Sequence, residues 1–132
     1  MSSKSKSSRE NKQCIVGIFD RAAPTYDQVG PSFFSTFGKK LVEFAHIEEN
    51  DRVLDIATGR GAVLFPAAQA VGMGGTVTGT DLAEAMVNEV RKEVQDRGFK
   101  NVRIECMDAE NLQFPDAFFD VVLCGFALFF FP

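Results

Sequence analysis

Three acidic residues, each at the end of a short apolar stretch, have the spacing to do chemistry together. Asp55 lies in Arg-Val-Leu-Asp-Ile (52–56) and is followed by the turn Ala57-Thr-Gly-Arg-Gly61. Asp81 closes Thr-Val-Thr-Gly-Thr (76–80), Asp108 follows Val102–Cys106, and Cys124 ends a fourth stretch at 120–124. Gly59 and Gly61 would let the backbone turn sharply and come close to a ligand with no Cβ in the way. A helix after such a turn aims its free N–H groups and the positive end of its dipole at that ligand. Asp81 lies 20 residues beyond Gly61, about the spacing at which a carboxylate accepts hydrogen bonds from both hydroxyls of a ribose. Blander readings stand beside these. The glycines would serve a plain strand-to-helix turn, and Asp81 would cap the next helix, a role compatible with binding ribose.

The charge at the turn separates the candidate nucleoside ligands. A dinucleotide fingerprint needs a third glycine for close helix–strand packing, and that position is Leu64. Asp55 at the mouth of the turn would repel a pyrophosphate. It would suit a ligand carrying an ammonium and a sulfonium, which is S-adenosylmethionine.

The elements that must hold these residues can be read from periodicity. The stretches at 52–56, 76–80, 102–106 and 120–124 are short strands, each followed by a turn and a helix or long connection. The helices are expected at 62–71, with Pro66 tolerated only in the first turn, and at 82–97, with Met86, Val87, Val90 and Val94 on one face and Gly98 as the stop. Phe33, Phe34, Phe37, Leu41, Val42 and Phe44 recur at helical steps and define a helix at about 31–46. The alternation of strand and helix predicts an α/β fold with a Rossmann-like, doubly wound parallel sheet. In such sheets ligands bind beyond the carboxyl ends of the strands, where the acids converge.

With the motifs in place, a resemblance is visible. Val53-Leu-Asp-Ile-Ala-Thr-Gly-Arg-Gly-Ala62 resembles the first motif of class I S-adenosylmethionine-dependent methyltransferases, and Gly75-Thr-Val-Thr-Gly-Thr-Asp-Leu82 resembles their second strand with its ribose-binding acid. The stretch from Met107 to Val122 is similar to their adenine-binding turn and fourth strand. Phe19-Asp-Arg-Ala-Ala-Pro-Thr-Tyr-Asp27 resembles the helical entry of the small-molecule branch that includes the ubiquinone and menaquinone methyltransferases. Ala57 stands where the family more often has glycine.

The resemblance implies a methyl transfer to a small molecule, with S-adenosylmethionine as cofactor. It implies that Asp55 holds the methionyl ammonium and that the backbone of Ala57, Thr58, Gly59 and Gly61 borders methionine and ribose. Asp81 would bind the ribose and Leu82 would pack on adenine. Asp108 would accept from the adenine amine, with the Ala109 N–H on a ring nitrogen. Tyr26 would cover the cofactor, and Met86 and Cys124 would complete the lining. From the residues alone, Asp108 also reads as an Asx-type loop residue and Tyr26 as a half-buried interface aromatic. No residue is assigned a catalytic role.

Composition narrows the alternatives. The chain has 132 residues, 45% hydrophobic and 24% charged, enough for a core without metal or disulfide staples. Residues 1–12 carry Lys4, Lys6, Arg9 and Lys12 against Glu10, while the rest is acidic, which argues against nucleic-acid binding. That leader is expected to be a disordered tail, followed by a helical cap at 13–50 and a cofactor-binding half-domain at 51–132. No apolar run approaches a membrane span. Cys14, Cys106 and Cys124 form no paired motif and read as reduced thiols of a cytoplasmic protein. A lone His46 among unclustered cysteines makes neither a metal site nor a His-based catalytic group.

Of the 14 Phe, six (118, 119, 126, 129, 130, 131) fall near the end of the chain. The family sheet has seven strands in the order three-two-one-four-five-seven-six, and four are legible. The expectation is therefore an incomplete, truncated fold with strand four at an open edge, where a homodimer could form. Two further readings remain: a nicotinamide-dependent oxidoreductase fragment, disfavoured by Asp55 and Leu64, and a non-catalytic fragment acting by partner binding.

Overall fold

A computed structural model describes residues 3–25 and 33–125. Tyr26 and four of the late phenylalanines, Phe126, Phe129, Phe130 and Phe131, lie outside the described residues. The elements follow in the order α1 (Ser3–Ala22), a 3-10 turn (Ala23–Thr25), α2 (Phe33–Phe44), β1 (Arg52–Ile56), α3 (Leu64–Val71), β2 (Thr76–Asp81), α4 (Glu84–Asp96), β3 (Val102–Cys106) and β4 (Val121–Cys124).

The four strands form one parallel sheet in the order β3-β2-β1-β4. Asp55 is in register with Gly79 on one side and Leu123 on the other, and Gly79 with Ile104. That register brings the carboxyl ends of the strands together at one edge. Val53, Val77, Ile104 and Leu123 face the same way and form a core with Leu64, Ala67, Ala68 and Val71 of α3 and Val87, Val90 and Val94 of α4. Each fully buried Val or Leu there contributes roughly 1.5–3 kcal/mol.

Helices α3 and α4 begin later than the periodicity suggests. Helix α3 starts at Leu64, so Pro66 falls in its first turn, where a missing N–H breaks no intrahelical bond. Leu64 is completely buried, and a Cβ added to Gly79 of β2 would lie 2.9 Å from its Cδ1. Close helix–strand packing is thus kept with the roles exchanged: the large residue is on the helix and the glycine on the strand.

Helix α1 begins at Ser3 and runs through most of the segment expected to be a disordered tail. No glycine or proline precedes Gly17, and Ser, Lys, Arg, Glu and Gln all tolerate a helix, so the apolar stretch at 14–20 is continued backwards without a break. His46 lies just past α2, exposed, with φ of 50°.

Two helices tie the N-terminal part to the sheet edge. Helix α2 crosses α3's leading loop at Gly38, where a Cβ would come within 2.1 Å of the Ala62 carbonyl oxygen; only glycine permits that approach. Helix α1 and the 3-10 turn after it dock on the start of α4, where Ala23, Ala83 and Met86 form a buried cluster with Phe19 of α1 against it.

Candidate functional site

A cavity of about 480 Å³ opens beyond the carboxyl ends of the strands, and ten of the expected residues line it: Asp55, Ala57, Thr58, Gly59, Gly61, Asp81, Leu82, Met86, Asp108 and Ala109. Cys124 does not line it. As the last residue of β4 it stays level with the strand, and its neighbour Gly125 reaches the cavity instead.

The turn after β1 is built by its own backbone. The Thr58 N–H donates to the Thr80 carbonyl at 2.9 Å, and the Gly61 N–H to the Thr58 carbonyl at 2.9 Å. Gly61 sits at φ of 89°, and a Cβ there would strike the Phe65 ring. Ala57, at φ of 56°, adopts the left-handed conformation that glycine takes more cheaply.

Asp55 is 1% exposed, and its Oδ2 accepts from the Thr58 hydroxyl at 2.6 Å. Burial pushes its carboxyl up to about 7; the Thr58 hydrogen bond resists this and the Asp81 charge adds to it. Asp81 is also raised, first by burial, against the pull of backbone N–H donors. Its Oδ2 accepts from the Gly59 N–H at 2.9 Å and its Oδ1 from the Ala83 N–H at 3.0 Å. It therefore ties the glycine turn to the end of β2. It does not cap α4 as one sequence reading allowed. That cap comes from Asp20 of α1, which accepts the Ala85 N–H at 3.0 Å.

At the other end of the cavity, Asp108 accepts the Glu110 N–H at 3.0 Å on Oδ1, the Asx-type geometry expected of a loop aspartate. Its Oδ2 accepts from Lys12 Nζ at 2.8 Å, and Lys12 also pairs with the Glu110 carboxylate. Lys12 first, then the Glu110 N–H, hold the Asp108 carboxyl below its ordinary value.

Sequence reasoning missed Lys12, Asp20 and Arg60. Arg60 donates to the Ala23 carbonyl at 2.7 Å and lies 3.6 Å from Glu93 of α4, bracing the glycine turn against both. All three act across contacts distant in sequence, for which no local spacing exists. Asp20 and Arg60 did fall within the motifs at 19–27 and 53–62, but without their roles.

A parallel α/β sheet in the order 3-2-1-4, with a glycine turn after the first strand and an acid ending the second, defines a Rossmann-like methyltransferase fold. The chain belongs to the family described as the methyltransferase domain, whose model matches residues 53–132. The family's cofactor is S-adenosylmethionine.

The chain is 43% identical to the aklanonic acid methyltransferase DauC of Streptomyces sp. (strain C5), over 92% of this chain and 55% of that protein. It is 33% identical to the ubiquinone/menaquinone biosynthesis C-methyltransferase UbiE of Burkholderia mallei, over 90% and 50%. The crystal structure of an S-adenosylmethionine-dependent methyltransferase from Aquifex aeolicus superposes with a TM-score of 0.69 at 28% identity, covering 80% of this chain and 55% of that one. The chain thus spans about half the length of the curated relatives it matches.

Proposed function

We propose that the chain carries the cofactor-binding portion of a methyltransferase acting on a small molecule. The observation that carries this reading is Asp55. It is a buried carboxylate lining the cavity whose side-chain partner among the described residues is the Thr58 hydroxyl, with a second acid, Asp81, nearby. A site of this charge suits a cationic ligand and disfavours a pyrophosphate.

S-adenosylmethionine supplies a methyl group already activated by its sulfonium. The chain's residues bind and orient it. Asp55 takes the ammonium, the turn from Ala57 to Gly61 borders methionine and ribose, and Asp81 takes the ribose hydroxyls with lone pairs left over from its backbone bonds. Leu82 packs on adenine, Asp108 accepts from the exocyclic amine and the Ala109 N–H meets a ring nitrogen. Fixing the methyl group against a nucleophilic acceptor can supply on the order of 7–11 kcal/mol of the barrier without a dedicated base.

The relatives named for aklanonic acid and for ubiquinone or menaquinone support a small-molecule acceptor. Cys14, Cys106 and Cys124 are not joined in disulfides, which supports a cytoplasmic setting. Among the described residues no helix is long and apolar enough to cross a membrane. Strand β4 pairs with β1 alone in the described sheet and leaves Val122 exposed, which supports a further strand or a second copy at that edge. Light scattering of the purified chain tests the second copy.

Calorimetry with S-adenosylhomocysteine and with NAD tests the main reading. The homocysteine nucleoside is expected to bind and NAD is not; binding of NAD alone would replace this reading with the oxidoreductase one.

A further inference from the structure

At the nucleobase end of the cavity, Lys12 holds a position that the roles assigned above leave unexplained. Both oxygens of Asp108 are engaged: Oδ1 by the Glu110 N–H at 3.0 Å and Oδ2 by Lys12 Nζ at 2.8 Å. An exocyclic amine seeking Asp108 is an N–H donor, as the ammonium is; Oδ2 keeps a second lone pair, but Lys12 lines the cavity beside Asp108, so an amine reaching Oδ2 from the cavity meets the Lys12 ammonium there. Lys12 has a second carboxylate within reach, because it also pairs with Glu110. All three side chains are about one-third exposed, so their ion pairs are worth little and can be exchanged at little cost. Ile15 and Phe19, farther along α1, line the same cavity as Leu82. The helix that carries Lys12 therefore forms one wall of the base slot.

We propose that Lys12 is a built-in competitor for the nucleobase: its ammonium takes the amine's place on Asp108, the entering base exchanges with it, and Glu110 keeps the displaced lysine paired. The proposal rests on the reading of Asp108 as the acceptor of the base amine. Two carboxylates around one cation make the exchange possible without stranding a charge. The exchange also makes occupancy of the base slot sensitive to α1, because only the donor on that helix yields.

The test is titration of the full chain with S-adenosylhomocysteine, comparing the parent with Lys12→Met, which keeps the aliphatic stem. Lys12→Met is expected to bind roughly two- to fivefold more tightly, the worth of a partly exposed ion pair no longer given up on binding. The 6-oxo analogue S-inosylhomocysteine, which has no amine to place on Asp108, is expected to show no such gain. Unchanged or weaker binding of S-adenosylhomocysteine by Lys12→Met overturns the proposal, and so does an equal gain for both ligands, which would mean a general charge effect.

Glu110→Gln provides a second arm should Lys12→Met fail to fold. It removes the charge that receives the lysine and is expected to weaken binding; an unchanged Kd overturns the exchange. A parent chain that gives no heat with S-adenosylhomocysteine refutes the cofactor reading itself. A parent that binds, with a variant no tighter, refutes the competitor alone.

Discussion

The two ends of the cavity use the same residue type in opposite ways. Asp55, under the glycine turn, is almost completely buried and is raised to about 7 by that burial. Asp108, at the other end, is partly exposed and is lowered by Lys12. The first carboxylate is poised for a cation that the described chain does not supply; the second already holds one. Asp55 is fixed by its own strand and by Thr58, three residues away, whereas Asp108 depends on a helix 96 residues away in sequence. One end is thus a property of the sheet and the other a property of how α1 docks.

Removing the buried acid gives the largest expected effect. Asp55 binds its proton more tightly folded than unfolded. Between pH 3.8 and about 7 the folded state holds that extra proton, and stability falls as pH rises through this window. Asp55→Asn abolishes this and should stabilise the ligand-free chain at pH 8, by up to about 4 kcal/mol if the whole shift is recovered. The same substitution should weaken binding of S-adenosylhomocysteine and flatten its dependence on pH, because the parent must ionise Asp55 to hold the ammonium and so binds more tightly as pH rises from 6 to 8. Urea melts and calorimetry at both pH values check the pair. A variant less stable than the parent at pH 8 would show that burial does not set the state of this end.

Asp81→Ala comes next. It should cost about 1–3 kcal/mol of nucleoside affinity through lost charged hydrogen bonds. It should also lower the melting temperature, since the Gly59 and Ala83 N–H groups lose their acceptor. Unchanged affinity in a folded variant would remove Asp81 from the ribose.

The same contrast explains what the sequence could reveal. The sheet end was legible because its parts are local: β-branched runs mark β1 and β3 at their observed bounds, and the acids sit at fixed steps from the turns they serve. Strand order followed from the resemblance, and Leu64 was seen to break the dinucleotide pattern although its packing partner, Gly79, was not. The cap end was not legible. Residues 1–12 have the composition of a solvated tail, and nothing local indicates that Lys12 meets Asp108 and Glu110 or that Asp20 caps α4. Cys124 is absent from the cavity lining although β4 stops where the sequence reading ends it, because the next residue, Gly125, reaches the cavity instead.

The smallest expected effect is the sharpest probe of how α1 is held. Asp20 accepts the Ala85 N–H, which no side chain of α4 itself satisfies, so Asp20→Ala removes a helix cap supplied from outside the helix. Loss of such a cap costs about 1 kcal/mol, and thermal melts should show a decrease of that size. Because Asp20 and Lys12 lie on the same helix, loosening the first should also loosen the second. The salt dependence that the Lys12 ion pairs impose on nucleoside binding should therefore diminish in Asp20→Ala, while the pH dependence set by Asp55 stays as in the parent. If instead the pH dependence moves with Asp20, the two ends are coupled through α4, and the division between a sheet-built end and a cap-built end does not hold.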